Sequence, residues 1–438
     1  MLSTRLNRRL DRRGIHYAWL IAALTFLVML TTSAALGLPG AFLLPLSREH
    51  GWSTEQISSV LAVRFALYGL MAPFSAMLME RFGVRRVVAT ALALIAGGMA
   101  LATVVRELWQ LFIAWGLMLG IGSGMTALVL AALVANRWFT ARRGLVVGIL
   151  TASAATGQLA FLPLAAWLIE HLGWRSAVVP VLLACSVLAV LVMLLMRSRP
   201  RDLGLAAFGE VPASVAAAPE PAPAAVNLRT PFVVLREAMG TQTFWVLAGT
   251  FFICGLSTNG LIQTHFITLC GDFGLSAVPA ASVLAMMGAF DFVGTISSGW
   301  LSDRYDSRKL LFWYYGLRGL SLFWLPHSTF TLYGLSLFAM FYGLDWIATV
   351  PPTVKLAGVA FGKERAPMVF GWIFAAHQIG AATAAYGAGL SRTLLLTYTP
   401  ALYVAGGACL LAAVLALGAR LRKEGAAGEP QAPRAARA

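Results

Sequence analysis

Long apolar stretches alternate with short polar segments along almost the whole chain. A membrane-spanning helix needs about 20 predominantly apolar residues. The stretches reach that length, are rich in Leu, Ala and Gly, and lack the alternation of β-barrel strands. The pattern predicts an all-α integral membrane protein with twelve transmembrane helices. We call these spans 1 to 12, and they cover residues 15–42, 55–79, 85–105, 108–135, 143–169, 174–196, 243–270, 279–301, 309–327, 330–353, 366–391 and 397–420.

The polar segments divide the spans into two groups of six. The longest polar connection covers residues 197–242, and its middle is rich in Ala and Pro, a composition typical of a flexible or extended linker. We therefore predict an N-terminal six-helix bundle (15–196) and a C-terminal six-helix bundle (243–420). A short N-terminal segment (1–14) and a disordered tail (421–438) lie outside the bundles.

Composition and charge support this organisation and orient it. The chain is 59% hydrophobic and only 12% charged, whereas soluble proteins carry about 25% charged residues, so a soluble enzyme or nucleic-acid-binding domain is excluded. Of the 33 Lys and Arg residues, 27 fall on one side of the membrane if the N-terminus is cytoplasmic. The positive-inside rule then predicts cytoplasmic termini and linker in a cell inner membrane. The net charge of +15 needs no nucleic-acid partner.

Two short charged segments recur at the same place in each half, at 76–86 between spans 2 and 3 and at 299–309 between spans 8 and 9. Each has a carboxylate at a helix end, an Arg beside it and cations in the following turn. Ion pairs at the membrane edge can form and break as helices move, so we predict that these turns latch the two halves together on the cytoplasmic face. The candidate gating residues are Glu80, Arg81, Arg85, Asp303, Arg304 and Arg308.

Twelve spans, a central loop and this doubled signature resemble the major facilitator superfamily of secondary transporters, over the whole chain. The resemblance implies two six-helix bundles related by a pseudo-two-fold axis, which rock about a central site near the membrane midplane. The chain departs from the signature at Ala76, where the family prefers Gly, and at Asp306, where the first copy has Gly83.

Span 5 begins with a segment, 138–148, that resembles the bacterial monocarboxylate porters and their oxalate–formate relatives, as does the segment 361–380 around span 11. Span 8 carries Asp291 where that group keeps an Asp used in proton coupling. Animal members of the group place an Arg four residues later, where this chain has Thr295, and a Lys near the Pro of span 1, where this chain has 38–40 (Leu-Pro-Gly). The resemblance implies a monocarboxylate cargo, although two anion contacts of the group are missing.

Five ionisable residues lie about half-way along predicted spans, where an unpaired charge is costly and marks a functional hypothesis. They are Arg64, Asp291, Arg318, Asp345 and His377. The two positive and two negative charges balance, which is consistent with ion pairs inside a bundle or around a water-filled cavity. Asp291 either carries a proton or braces two helices in a permanent ion pair. Arg318 and Arg64 either bind an anion or hold helices together.

The remaining candidates also leave two interpretations open. Asp345 precedes the double proline at 351–352 and either bonds backbone groups freed by those prolines or takes part in coupling. His377 is either a proton or substrate ligand or a satisfied histidine between helices. Asn259 and Gln263 share one face of span 7, where they either line a cavity or form hydrogen bonds between helices.

No nucleotide-binding or hydrolase motif and no metal-ligand spacing occurs in the chain, so we predict no cofactor, no metal and no enzymatic activity. The sequence favours a secondary active transporter that moves a small organic anion, a carboxylate, with a proton, as a monomer. Efflux of amphipathic drugs through an aromatic cavity is an alternative. A non-transporting membrane sensor is a further one, but it would normally need a soluble signalling domain.

Overall fold

The computed structural model describes residues 2–210 and 229–419. These two ranges are almost entirely helical, and within them the sole β-type pairing is an isolated bridge between Phe139 and Phe208. The predicted tail (421–438) and most of the Ala- and Pro-rich middle of the linker lie outside the described residues.

Nine helices in the described ranges are long and apolar enough to cross a membrane, and they correspond to spans 1–4, 6–8, 11 and 12. The span 2 helix continues beyond its apolar part to Phe82. The nine are Tyr17–His50, Thr54–Ser75, Val84–Ala102, Leu108–Trp138, Trp174–Leu195, Gln242–Asp272, Ala277–Arg304, Arg365–Leu395 and Thr399–Leu417.

The other three spans are interrupted or more polar. Span 5 consists of Arg143–Ala160 and Leu162–Leu172, and span 9 is Ser307–Trp324. Span 10 begins as Leu332–Leu344, breaks at residues 345–349 and resumes at the start of Val350–Leu395, which bends at Gly362 (φ 77°) and continues as span 11. The twelve-helix prediction is therefore confirmed.

Short helices flank the spans at one end of the molecule. They are Leu2–Asp11 before span 1, the 3₁₀ turn Pro200–Leu203 after span 6, and Thr230–Met239 before span 7. We call this end, where span 1 begins and span 12 ends, the terminal face, and the other end the opposite face.

Local capping signals set the short turns of the opposite face. Span 1 ends at Gly51, whose φ of 71° suits a residue without a side chain. Span 2 then begins with a reciprocal capping box. The Ser53 hydroxyl accepts the backbone N–H of Gln56 at 3.1 Å, and the side-chain oxygen of Gln56 accepts the backbone N–H of Ser53 at 2.9 Å. Three residues therefore suffice to reverse the chain between the two helices.

Each half has a hydrophobic core of its own. The buried cluster of the first half draws its core members from spans 1–6, between Tyr17 and Met196. The cluster of the second half also includes Ala41, Leu159, Leu162 and Ala166 from spans 1 and 5. Two separate cores joined along a shared seam are the architecture expected for two bundles that move relative to each other.

The seam brings span 1 against span 7, span 2 against span 11 and span 5 against span 8, with glycines at the closest approaches. A Cβ on Gly40 would lie 2.7 Å from the Gln263 carbonyl oxygen, and one on Gly389 would lie 2.5 Å from the Ser58 hydroxyl. All four residues lie in the part of their helices that is nearer the opposite face. Larger side chains at these positions would push the halves apart there.

Candidate functional site

The break in span 10 leaves backbone groups that need partners, because irregular backbone inside a membrane is tolerated only where those groups are satisfied. Span 8 supplies two of the partners. Asp291 Oδ1 accepts the Ile347 N–H at 2.9 Å, and the Ser298 hydroxyl donates to the Ala348 carbonyl at 2.5 Å. The two side chains are seven residues apart and therefore share one face of span 8.

Span 9 supplies the third partner of the break through Arg318, which is only 1% exposed. Its guanidinium donates to the backbone carbonyls of Asp345 and Trp346, and its Nε lies 2.7 Å from the Asp345 carboxylate. Its Nη1 donates to the Cys254 thiol on span 7 at 3.0 Å. The structure thus brings Arg318 to Asp345 as a buried ion pair that braces spans 9 and 10.

Asp291 is as buried as Arg318, at 1% exposure, but its hydrogen-bond donors are neutral. Its Oδ1 accepts the Thr295 hydroxyl at 2.9 Å in addition to the Ile347 N–H. Since Arg318 bonds the same short turn and pairs there with Asp345, this cluster holds two carboxylates and one guanidinium. His377 borders the cluster through a hydrogen bond with Cys254. With both carboxylates ionised and this histidine neutral, the cluster would carry one buried negative charge in excess, which is costly in a low dielectric.

Arg64 lies in the other half and has no carboxylate partner among the described residues. It is 1% exposed, its Nη1 donates to the Leu36 carbonyl of span 1 at 2.9 Å, and its guanidinium carbon lies 4.3 Å from the Phe65 ring centroid. Its Nε has no hydrogen-bond partner in the described part of the chain. The pairing expected from the balanced charges therefore holds for Arg318 with Asp345 and does not extend to Arg64.

His377 joins span 11 to span 7. Its ring lies near the rings of Phe251 and Phe374, at centroid distances of 4.8 and 5.9 Å, and its Nδ1 is 3.2 Å from the Phe251 carbonyl oxygen. These contacts favour the interpretation of a histidine between helices. The neighbouring Gln378 is buried, and its side-chain oxygen has no partner among the described residues.

Asn259 and Gln263 lie in a π-helical stretch of span 7, Leu256–Gln263. The Thr264 hydroxyl donates to the Asn259 carbonyl at 2.7 Å, five residues back, and the Asn259 side-chain oxygen accepts from Thr258. Gln263 is 4% exposed, and neither atom of its amide has a partner among the described residues. Such π-helical turns are frequent at functional sites.

The candidate gating residues make their described contacts within their own halves or with the start of the linker. Glu80 forms an ion pair with Arg137 at the end of span 4 and lies 3.9 Å from Arg199. Arg304 lies over the Trp300 ring, with its guanidinium carbon 3.9 Å from the centroid. The latch between halves therefore stays a prediction.

Two of the other gating residues, Arg308 and Arg81, contact residues close to them in sequence. Arg308 binds Asp306 through both carboxylate oxygens, and the Arg81 guanidinium carbon lies 5.3 Å from the Phe82 ring centroid. Among the described residues, Arg85 and Asp303 form no ion pair within 4.0 Å.

Sequence reasoning missed three contributors to the span 10 site. Ser298 and Thr295 carried a usable signal, since both lie on the Asp291 face of span 8 at helical spacing. Cys254 carried none, because its contact with Arg318 depends on how spans 7 and 9 pack.

A cavity of about 1120 Å³ opens between the halves at the opposite face. The first half contributes charged residues from spans 1 and 5, and the second half from spans 7 and 11. The seven candidate substrate and coupling residues do not line it. The cavity is therefore separate from the buried residues described above. Its charged residues are Arg48, Glu49, Glu170, Asp272 and Arg392.

Twelve membrane-spanning helices, two cores with a shared seam and buried charges around a broken helix define a membrane transporter. The sequence profile of the Major Facilitator Superfamily matches residues 21–385, and the chain belongs to this family. Its known relatives are transporters and not enzymes.

The chain is 26% identical over 400 residues to monocarboxylate transporter 13 of Bos taurus, with 90% of this chain and 87% of the relative covered. It is 28% identical over 335 residues to the gallate transporter of Pseudomonas putida, with 72% of each covered. The crystal structure of a D-xylose–proton symporter has the same fold, with a TM-score of 0.70 at 15% identity, covering 91% of this chain and 97% of the symporter.

Proposed function

We propose that the protein moves a small carboxylate across the cell inner membrane together with a proton, by alternating access, with both termini in the cytoplasm. The observation that carries the proposal is the buried cluster of two carboxylates and one guanidinium around the break in span 10. A proton neutralises the excess charge of that cluster, and its arrival or departure changes the hydrogen bonds that hold the break.

Asp291 is the residue that we infer to carry this proton. Asp345 already has Arg318 as a counter-ion, whereas Asp291 accepts, among the described residues, only a hydroxyl and a backbone N–H. Loss of its negative charge weakens its bonds to Thr295 and to Ile347, since hydrogen bonds to charged acceptors are the stronger ones. Proton binding to Asp291 thereby couples to the conformation of span 10.

The carboxylate cargo is supported by two independent arguments. Two relatives of comparable length are named as transporters of carboxylates, namely monocarboxylates and gallate. The first half also contains a buried guanidinium, Arg64, which has no counter-ion among the described residues, and an anionic cargo would supply one. A neutral amphipathic drug would not supply this counter-ion.

Transport by purified protein in proteoliposomes tests the proposal. The native protein should accumulate a labelled carboxylate against its gradient when a pH gradient is imposed. Asp291→Asn should abolish this accumulation and retain exchange of labelled for unlabelled carboxylate, because the amide mimics a permanently protonated carboxyl. Asp11→Asn, at an exposed residue of the N-terminal helix, is the matched control. Unchanged accumulation by Asp291→Asn would remove this residue from coupling.

A further inference from the structure

We propose, on the basis of the function proposed above, that Arg64 binds the carboxylate of the cargo through its free Nε edge. We further propose that the buried amides of Gln263 and Gln378 bind a hydroxyl or carbonyl group elsewhere on the same molecule. The cargo class is therefore a small carboxylate that carries a second polar group.

The guanidinium of Arg64 is held in an orientation suited to this task. Its Nη1 is occupied by the Leu36 carbonyl, and its Nε is buried without a partner among the described residues. The Nε and Nη2 groups form one edge of the guanidinium, and this edge matches the two oxygens of a carboxylate in a bidentate pair. The Leu36 contact therefore fixes the guanidinium and leaves its carboxylate-binding edge available.

Arg64 also lies where the two halves meet. The next residue, Phe65, belongs to a buried cluster with Ala381 and Ala385 of span 11. On the other side, the Arg64 backbone contacts Gly120 of span 4, whose Cβ position is 2.9 Å from the Arg64 carbonyl oxygen. A ligand of Arg64 would thus lie beside the seam along which the bundles move.

The two amides reach the same region from the second half. The Gln263 backbone contacts Gly40, which is four residues from the Leu36 carbonyl that binds Arg64. The Gln378 side chain packs on Gly69 of span 2. These residues connect spans 7 and 11 to spans 1 and 2 close to Arg64.

Both amides are buried and keep hydrogen-bonding atoms without a partner among the described residues: Nε2 and Oε1 of Gln263 and Oε1 of Gln378. Unpaired buried polar atoms of this kind are rare in native proteins and indicate a bound ligand or water. An amide both donates and accepts, so it pairs equally well with a hydroxyl or a carbonyl group. A cargo whose carboxylate is bound by the first half and whose polar group is bound by the second half would connect the two halves.

Binding to the purified full-length protein tests the proposal with two sets of probes. One set is lactate, propanoate and lactamide, and the other is 4-hydroxybenzoate, benzoate and 4-hydroxybenzamide. In the set that matches the cargo size, the hydroxylated carboxylate should bind most tightly, the unsubstituted carboxylate more weakly and the neutral amide least. Calorimetry measures the three dissociation constants.

Variants then assign the contacts. Arg64→Gln should raise the Kd of the carboxylate about 10- to 100-fold, the range of a hydrogen-bonded charged contact, and should remove the preference over the neutral amide. Gln263→Leu and Gln378→Leu should raise the Kd of the hydroxylated probe about 10-fold and leave that of the unsubstituted probe unchanged. Arg106→Gln, at an exposed Arg of the opposite face, should bind every probe like the native protein.

Each outcome has a distinct meaning. Native Kd in a folded Arg64→Gln variant overturns the carboxylate site. If that variant does not fold, Arg64→Lys takes its place, because it keeps the charge and loses the bidentate edge. Arg64→Lys should weaken carboxylate binding, and a native Kd in this variant would also overturn the carboxylate site. Equal losses for both probes in the amide variants assign those amides to bound water and overturn their role. Absence of any carboxylate transport by the native protein would instead reject the proposed function itself.

Discussion

At the scale of single residues, the two repeated turns reach the same reversal by different means. In the first copy, Gly83 adopts a φ of 82° between spans 2 and 3. In the second copy, Asp306 has an ordinary φ of −63°, accepts the Arg308 N–H at 2.9 Å as the cap of span 9, and pairs with the Arg308 side chain. The departure at Asp306 noted in the sequence is thus a substitute for the glycine.

Replacement of Asp306 should separate its two roles. Asp306→Ala loses the cap and the ion pair, and we expect it to destabilise the second half by about 0.5–2 kcal/mol, the usual range for a lost cap. Asp306→Asn keeps an acceptor for the Arg308 N–H, so it should lose only the smaller contribution of a part-exposed ion pair. Thermal unfolding in detergent measures both, and equal losses would contradict the capping role.

The pH dependence of the same residue follows from its ion pair. The hydrogen bond from Arg308 lowers the pKa of the Asp306 carboxyl below its usual value. A lowered native pKa gives stability that is present above the unfolded pKa and is lost as the pH falls through the native one. The difference in stability between the native protein and Asp306→Asn should therefore be full at neutral pH and disappear in acid. A difference that persists in acid would show that the ion pair is not its cause.

At the scale of secondary-structure elements, the break in span 10 shows what a sequence can and cannot predict. The prolines at 351–352 predicted an interruption, and the interruption occurs before them, at 345–349. Each proline lacks an N–H for the carbonyl four residues earlier, and its ring clashes with that carbonyl, so the helix cannot run through residues 347 and 348. The prolines themselves begin the next helix. The partners of the freed groups were not predictable, since Asp291 and Arg318 come from spans 8 and 9, and one sequence does not show how spans pack.

Ser298→Ala tests whether the break depends on these partners. The variant leaves the buried Ala348 carbonyl without its donor, and we expect a loss of about 1–3 kcal/mol of stability. The matched control is Ser282→Ala on the same span, whose hydroxyl bonds, in the described part of the chain, only the Val278 carbonyl of its own helix. Thermal unfolding and transport rate should both change for Ser298→Ala and stay native for Ser282→Ala. Identical behaviour of the two variants would contradict a role of Ser298 in holding the break.

The helix Thr230–Met239 is an element that composition alone did not indicate, because the linker around it is polar. Its Phe232 ring contacts Phe74 of span 2 and Trp372 of span 11, at centroid distances of 5.5 and 5.8 Å, and the Trp372 indole N–H donates to the Pro231 carbonyl. This cluster, which we call the aromatic clasp, connects both halves at the terminal face.

Removal of one ring of the aromatic clasp should loosen the terminal face. Phe232→Ala should speed amide hydrogen exchange in spans 2 and 11 near Phe74 and Trp372, because it deletes contacts that both spans share. Phe273→Ala, which breaks a ring stack with Phe330 at the opposite face, should leave exchange there unchanged. Native exchange in Phe232→Ala would show that the clasp does not restrain the halves.

At the scale of the whole molecule, the repeat and the linker predicted two bundles, and the structure has them. The seam was beyond prediction, because Gly40 with Gln263 and Gly389 with Ser58 are contacts between residues hundreds of positions apart. The same limit applies to the site: the types of its residues were readable from the sequence, whereas the pairing of Arg318 with Asp345 and the isolation of Arg64 were not.

The proposed orientation has a direct test in intact cells. The four native cysteines are buried, so an impermeant maleimide should label only introduced ones. Arg106→Cys at the opposite face should react in intact cells, and Glu210→Cys in the linker should react only after the membrane is permeabilised, because the concentration of Lys and Arg favours the terminal face as cytoplasmic. Labelling of Glu210→Cys in intact cells would reverse the assignment.

Alternating access predicts that the seam at the opposite face must open in every transport cycle. Beside the cavity, the seam is closed between spans 2 and 11 by Glu55, whose backbone N–H donates to the Thr393 hydroxyl at 3.2 Å and whose carboxylate accepts the Tyr386 hydroxyl at 2.8 Å. A short linker that forms a disulfide with each cysteine of the Glu55→Cys and Thr393→Cys variant should therefore stop transport, and reduction of the two disulfides should restore it. The same linker across Asp272→Cys and Arg392→Cys, which pair within one half, should leave transport intact. Full activity with Glu55→Cys and Thr393→Cys linked would mean that the two halves do not part at this face, and cargo would have to reach Arg64 by another route.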